Sequence, residues 1–508
     1  MKNLTSFIFL GLVFFSCNNS EKQRKNAESL SGSSASPPNI IFILTDDQGW
    51  TGTSLRMDPD DPESRSDFIE TPNIERLAKQ GMRFSRAYCP AAICSPSRCA
   101  LQYGKSPARL LFMSNEFEKG QWNPGAKERI SQSVSIPKML KQSGQGYVTA
   151  HLGRWHHWPH PDSVGYDLTT GASSNTEGNF LKGPDRKTKT PGIRLPEDDP
   201  KRIFSLSRKA CEFMDKQVMD KKPFYLQISH YAAHANYYAR PETLEKYENK
   251  EPGKWHNRTK FGAMIEDLDD GIGIVLDKIK ELGIEDNTYI FLIVDNGAVT
   301  KGRGAARVNI PLRRGKYGFM EGGIRVPMLV AGPSIPKNSH SEVLVWGCDL
   351  WPTFHDLAGS KVPIPNDLDG GSLVSLLKAG GEGDILRSGM PEGLIFHCAQ
   401  GEGGYAQQRQ SAIRYGDFKL IKHYYNNDEV LLFNVRNDPY EWHDLSEELP
   451  DKYLELLTKM EGYLERVDAV DAAMTKEQLD KLYNAEYTVF PIESFSEEEK
   501  DPKPYKFR

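Results

Sequence analysis

The segment Cys94-Ser95-Pro96-Ser97-Arg98 sets a thiol where Pro96 can open a helix, and the amide end of a helix favours an anion. Far from it in sequence, Asp46-Asp47 and Asp295-Asn296-Gly297 each follow an apolar run. Three carboxylates and an amide oxygen are hard donors, a set that suits Ca2+ or Mg2+ better than zinc. Asp46, Asp47, Asp295 and Asn296 are therefore candidate metal ligands. Taken singly, the paired aspartates read as a helix cap or turn and Asn296-Gly297 as a tight turn. Their joint occurrence at the ends of strands is what points to a metal centre.

The C-x-P-x-R pattern of residues 94–98 occurs in order with Asp46-Asp47, His156, His234, Asp295-Asn296-Gly297, and Lys316 ahead of Glu321-Gly-Gly-Ile-Arg-Val-Pro327. Asn437-Asp438-Pro439, Glu441 and Asp444-Leu445 close the series. From about residue 39 to 446 the chain resembles the type I, formylglycine-dependent sulfatases of the alkaline-phosphatase-like superfamily. The resemblance implies that a formylglycine-generating or sulfatase-maturating enzyme oxidises Cys94 to formylglycine (3-oxoalanine), and that position 94 joins the ligands of one Ca2+. A hydrated aldehyde offers two hydroxyls: one attacks sulfur to form a covalent sulfated enzyme, and the other expels sulfate and restores the aldehyde. By the same resemblance Arg98 orients the hydrate and His156 takes its proton, a task suited to imidazole near neutral pH. His234 and Lys316 correspond to the pair that binds sulfate and protonates the departing alkoxide.

Three departures from the family pattern stand out. Gly153-Arg154-Trp155-His156 carries arginine where lysine is common, so a planar guanidinium replaces a flexible ammonium. Arg154 is thus expected to grip sulfate as a fixed charge. Gln102-Tyr103-Gly104-Lys105 replaces Leu-Thr-Gly-Arg after the signature, and Ala233 stands where proline is common before His234. His157 and His160 beside His156 raise the alternative of a local metal tract.

The elements that must position these residues are legible as continuous apolar runs over 39–44, 146–150, 223–228 and 289–294, each leading into a chemically loaded loop. Thr71 can cap a helix opened by Pro72 and ended by Gly81, with Ile74, Leu77 and Ala78 on one face. A longer helix carries Met264, Ile265, Leu268, Ile272, Val275, Leu276 and Ile279. Strands alternating with helices predict an α/β fold: a large, mixed, mostly parallel sheet sandwiched by helices, alkaline-phosphatase/sulfatase-like, with ligands beyond the carboxyl ends of its strands. The catalytic domain is expected over 39–375. A smaller C-terminal α+β domain is expected over 376–508, with antiparallel strands near 411–421 and 429–435 and a helix over 450–467.

Residues 1–38 read as an export signal and tether: Lys2, an apolar run over 7–15, then Cys17 in a lipobox-like context that implies lipidation. The chain's 64 Lys and Arg against 69 Asp and Glu give a charge of −5, which offers no global basic footprint for nucleic acid. The seven cysteines are too sparse for a disulfide framework in 508 residues, though Cys89 or Cys99 could join a single bridge after export. The expectation is an exported, periplasmic or outer-membrane sulfatase, tied to the membrane only by its lipid and acting on a sulfated carbohydrate. Asn236, Tyr237, Tyr238 and Arg240 are candidate glycan contacts or a solvated loop. A phosphate or phosphonate ester hydrolase and a catalytically silent glycan-binding lipoprotein are the alternatives.

Overall fold

A computed structural model describes residues 36–115, 120, 122–171, 178, 196–300, 308–399, 409–424 and 428–473. The expected signal sequence and Cys17 lie outside the described residues.

The first strand, β1 (Asn39–Thr45), shows how the sheet is made. Its residues alternate between two cores: Ile40, Phe42 and Leu44 enter one apolar cluster, Ile41 and Ile43 the other. A strand buried on both faces must be apolar at every position, which is why it reads as an unbroken run. Truncating Phe42 to alanine would cost about 3–5 kcal/mol.

The strands that follow in sequence are β2 (Gly81–Phe84), β3 (Ala87–Tyr88), β4 (Val148–Gly153), β5 (Leu168–Thr169), β6 (Phe224–Ser229), β7 (Thr288–Val294), β8 (Met328–Ala331), β9 (Ser339–Ser341) and β10 (Val345–Trp346). Eight of them with β1 included form one sheet in the order β5-β4-β6-β1-β7-β8-β2-β9. Pairing is parallel except where β8 meets β7 and β2. The mostly parallel mixed sheet matches the sequence expectation. The four strands with loaded loops, β4, β6, β1 and β7, are immediate neighbours. Leu44 pairs with Ser229, Thr45 with Val294 and Gly153 with Ser229, so their carboxyl ends finish level.

Helices cover both faces: α1 (Pro72–Gln80), α2 (Cys94–Tyr103), α3 (Ile203–Met219), α4 (Pro241–Glu248), α5 (Thr259–Glu281), the short α6 (Glu321–Ile324), α7 (Leu350–Leu357) and α8 (Pro450–Arg466). Residues of α1, α3, α4 and α5 join the core that holds Ile41 and Ile43, whereas α2, α7 and α8 join the other. No helix among the described residues is long and apolar enough to cross a membrane.

The start of α1 differs from expectation, and its end at Gly81 has an unforeseen cause. Pro72 opens the helix, but Thr71 makes no side-chain cap. The Asp269 carboxylate of α5 instead accepts from Asn73 N and Ile74 N, each at 2.8 Å. Gly81 ends the helix by running straight into β2, where a side chain would meet Val330 O at 2.1 Å. Glycine is needed there for close approach, a requirement that local sequence does not reveal.

The C-terminal sheet is antiparallel in the order β11 (Leu394–Cys398), β12 (Gln410–Tyr415), β13 (Phe418–His423) and β14 (Glu429–Asn434). The expected strand near 411–421 is in fact a hairpin, turning at Gly416-Asp417 with Gly416 at φ 57°. β11 went unread in the sequence. All six cysteines among the described residues are free, so the bridge considered for Cys89 or Cys99 is not made. Cys89 instead sits against the carbonyls of Ala91 and Ile324 at 3.2 and 3.3 Å.

Candidate active site

The loop after β1 turns sharply, with Asp47 at φ 48°, and leaves both carboxylates buried. It is zipped to the loop after β6: Asp46 N donates to Ala232 O at 2.9 Å, and Ala233 N donates to Asp46 O. A proline at 233 would have no N–H for that second bond, which accounts for what Ala233 does in place of the common residue. Asp295 Oδ1 accepts from Asp47 N at 3.2 Å, joining the loop after β7 to the first.

Cys94 is the first residue of α2 and only 1% exposed. Its Sγ lies 3.7 Å from Asp46 Oδ1 and 3.8 Å from Asp47 Oδ1. One ligand atom from each of Asp46, Asp47, Cys94 and Asp295 falls within 4.8 Å of all the others, the only such cluster among the described residues. Asn296 donates through Nδ2 to Asp47 Oδ1 at 2.6 Å, while its Oδ1 is buried with no hydrogen-bond partner. An orphaned amide oxygen beside three carboxylates fits a hard cation, which would satisfy it.

Cations surround this acidic centre. Arg98, buried rather than on the surface, donates Nε to Asp295 Oδ2 at 2.8 Å, Nη2 to Asp46 Oδ2 at 3.3 Å and Nη1 to Arg154 O at 2.8 Å. Arg154 is wholly buried; Nη1 bonds Asp46 Oδ2 and lies 3.5 Å from Asp295 Oδ2. Its other branch, Nη2, donates to His156 Nδ1 at 2.7 Å. Because a guanidinium has no acceptor, that nitrogen of His156 carries a lone pair and Nε2 carries the ring proton. Ser95 Oγ lies 3.2 Å from the same Nδ1. Lys316 Nζ is 3.0 Å from Cys94 Sγ and 2.8 Å from Asp47 Oδ1.

His234 is set from the other side, with Nε2 3.8 Å from Asp47 Oδ2. Its Nδ1 is 2.8 Å from Ala235 O and must donate, since a carbonyl only accepts. Burial and the Lys316 charge lower its pKa to about 4, so the ring is neutral at neutral pH. Burial pushes the Asp46 carboxyl up, but Arg154 and Arg98 outweigh it and hold it well below the usual carboxylate range. Burial and the Asp46 charge push Asp295 up to about 6. Burial raises the Cys94 thiol further than Arg154 and Lys316 can lower it, so the unmodified sulfur stays protonated. Lys316 is the reverse: burial opposes its charge, but the Asp47 carboxylate outweighs burial and holds it protonated.

All the residues singled out from Asp46 to Lys316 thus meet at one end of the sheet. Several neighbouring residues do not. His157 stacks on Trp155 with ring centroids 3.9 Å apart, and exposed His160 pairs with Asp162 at 2.9 Å, so no histidine metal tract forms. Arg240 leads into α4, where its guanidinium is engaged by Asp267 at 2.9 Å and by Asp270. Lys105 of the altered segment bonds Ser133 at 3.0 Å and Asp367 at 2.5 Å, a packing role. Two contributors escaped sequence reading. Ser95 lies at a variable position of the signature. Asn309 braces the loop that delivers Lys316, with Nδ2 3.0 Å from Ala298 O and from Arg314 O, and no local pattern marks it.

The profile of the family described as Sulfatase matches residues 38–360, and that described as N-sulphoglucosamine sulphohydrolase, C-terminal, matches residues 315–469. N-acetylgalactosamine-6-sulfatase of dog is 30% identical over 68% of this chain and 66% of its own, so the chain spans about two thirds of that relative's length. A protein of Formosa agariphila named Sulfatase is 26% identical over 91% of this chain and 93% of its own. The crystal structure of Ps i-CgsB in complex with k-i-k-neocarrahexaose superimposes with a TM-score of 0.70 at 28% identity, covering 88% of this chain and 96% of that one.

Proposed function

This chain belongs to the sulfatase family, and from that premise we propose that it is an exported hydrolase of sulfate esters on a sulfated carbohydrate, with formylglycine at position 94 and one Ca2+ held by Asp46, Asp47, Asp295 and Asn296. The observation that carries this reading is Cys94 at the opening of α2, inside the cluster of three carboxylates, beside the orphaned Asn296 Oδ1. The carbohydrate class is supported by the relatives, among them an N-acetylgalactosamine-6-sulfatase and a protein solved with neocarrahexaose. Export, and the lipid on Cys17 that would hold the enzyme in the periplasm or at the outer membrane, rest on the sequence of residues 1–38.

Formylglycine hydrate at position 94 would supply a hydroxyl nucleophile, and a cation held by Asp46, Asp47, Asp295 and Asn296 would lower its pKa and neutralise sulfate charge. The chain's own groups do the rest. Arg98 ties Asp46 to Asp295 and so fixes the spacing of two ligands. Lys316 carries its proton at neutral pH and sits against position 94, so it binds a sulfate oxygen or gives the leaving alkoxide its proton. His234 is locked at Nδ1 by Ala235 O and, while neutral, turns an unprotonated Nε2 toward Asp47, so it binds an ester oxygen only once Nε2 takes up a proton. His156 accepts at Nδ1 from Arg154 beside Ser95, so it can take a proton from position 94 only when Arg154 releases that lone pair. Arg154, expected to grip sulfate directly, instead commits its two branches to Asp46 and His156, and adds its positive charge to the site from behind them.

The test is release of inorganic sulfate from a panel of defined sulfated oligosaccharides by enzyme from its native host. Sulfate from at least one member is expected. Release of phosphate from phosphate or phosphonate esters with none of sulfate would replace this reading. Glycan binding without turnover would favour the silent binder.

A further inference from the structure

Glu321, Lys419 and Glu441 are all fully buried, the first on α6 shortly after Lys316 and the other two more than a hundred residues beyond Lys316, on β13 and in the loop after β14. Lys419 Nζ is 2.8 Å from Glu321 Oε1 and also pairs with Glu441. Glu441 Oε2 accepts from the Glu321 backbone N at 2.7 Å. One lysine of the small C-terminal sheet thus joins two motifs of the sequence, Glu321-Gly-Gly-Ile-Arg-Val-Pro and Asn437-Asp-Pro-Tyr-Glu441, that the reaction itself does not use.

Each arm of this group reaches a segment that carries the site. Glu321 leads into Gly322-Gly323, and Gly297 N donates to Gly323 O at 3.0 Å. The fit is tight, since a side chain at 297 would meet Gly322 O at 1.9 Å. That contact holds the residue next to Asn296. Glu321 Oε2 accepts from Tyr88 OH at 2.9 Å, which itself accepts from Arg414 Nε at 3.0 Å, and Cys89 N donates to Ile324 O at 2.9 Å. Those bonds hold the strand leading into the Cys94 segment. Arg325, 3.8 Å from Glu321, lies over the ring of Trp50 at 3.9 Å, three residues beyond Asp47.

We propose that Lys419 is a positioning residue of the site, holding Glu321 and Glu441 together so that the segments bearing Asp47, Cys94 and Asn296 keep one register. The proposal rests on the sulfatase reading for what the site does. The physical case is that a buried ion pair contributes little net stability but demands one geometry, since removing one partner leaves an uncompensated charge. Supports behind metal ligands set affinity, and their loss typically costs about ten- to a hundredfold in metal binding.

The experiment compares wild type, Lys419→Met and the charge-relieved double variant Lys419→Met/Glu441→Gln. It measures melting temperature without metal, direct Ca2+ binding by calorimetry, and kcat and KM on a sulfate ester. Lys419→Met is expected to lower the melting temperature. The double variant should regain much of that loss yet bind Ca2+ about tenfold or more weakly, with kcat reduced and KM little changed. If Ca2+ affinity and kcat recover together with the melting temperature, Lys419 is structural only and the proposal is overturned. If Lys419→Met does not fold, the double variant alone decides by the same readouts. Wild type that binds no Ca2+ and releases no sulfate would bring down the sulfatase reading and this proposal with it. Wild type that does both, with an unaltered double variant, would bring down this proposal alone.

Discussion

Lys316 and Cys94 stand 3.0 Å apart, ammonium against sulfur, with the same Nζ 2.8 Å from Asp47 Oδ1. The lysine is therefore charged beside the position from which the proposed mechanism has a sulfate ester attacked. Lys316→Ala should lower kcat by about a hundred- to a thousandfold, the usual cost of removing an electrostatic donor from such a site. Steady-state kinetics on a sulfate ester checks this, and a variant as fast as wild type would remove Lys316 from the reaction.

A buried thiol held protonated is a poor nucleophile, so activity should require its oxidation. Mass spectrometry of the tryptic peptide containing position 94, from active enzyme made in the native host, should show an aldehyde or its hydrate. Cys94→Ala should keep the circular dichroism spectrum of wild type and have no measurable turnover. Active protein carrying only intact cysteine would refute the nucleophile.

Chelation should abolish sulfate release, and Ca2+ should restore it better than Zn2+ because the donors are oxygens. Asp46→Ala and Asp295→Ala should resemble the stripped enzyme and bind Ca2+ weakly in calorimetry. Full activity in metal-free protein would contradict the ligand set.

Arg154 uses one guanidinium branch on Asp46 and the other on His156. Lysine has a single nitrogen and cannot serve both at once. Arg154→Lys should therefore fall between wild type and Arg154→Ala in kcat, with the alanine variant down by about a hundredfold or more. Equal rates for all three would place the side chain outside the chemistry.

The Glu441 carboxyl is pushed up to about 7 by burial and by Glu321, with Lys419 only partly opposing. Tyr88, Arg325 and Arg414 face Glu321 from the surrounding elements. Between the ordinary carboxylate range and pH 7 the folded state holds a proton there that the unfolded chain has lost, so this group's contribution to stability declines as pH rises through that window. Glu441→Gln should flatten that decline in melting temperature measured from pH 5 to 8. An unchanged slope would show that Glu441 does not titrate in this range.

Much of the site was legible because its residues follow strands that are apolar at every position. Ile40 to Leu44 and Tyr289 to Val294 announce themselves without reference to distant sequence, and Asp46 and Asp295 follow at once. What stayed hidden depends on contacts between segments far apart. Asp269 caps α1 across 195 residues of chain, and nothing near Thr71 reports it. Arg240 read as an exposed cation because Asp267 and Asp270 lie on another helix. The hairpin at Gly416-Asp417 was hidden by apolar residues on either side, which read as one strand.

The 1% exposure of Cys94 sets an order of events in the making of the enzyme. A modifying enzyme cannot reach a side chain packed beneath Asp46, Asp47 and Lys316 once α2 has closed over the sheet. On the proposed formylglycine reading, oxidation therefore comes while the chain around Cys94-Ser-Pro-Ser-Arg98 is still open, in competition with its own folding. A variant that folds faster would then leave more of its molecules as inert thiols, so quicker folding would accompany a lower yield of active enzyme.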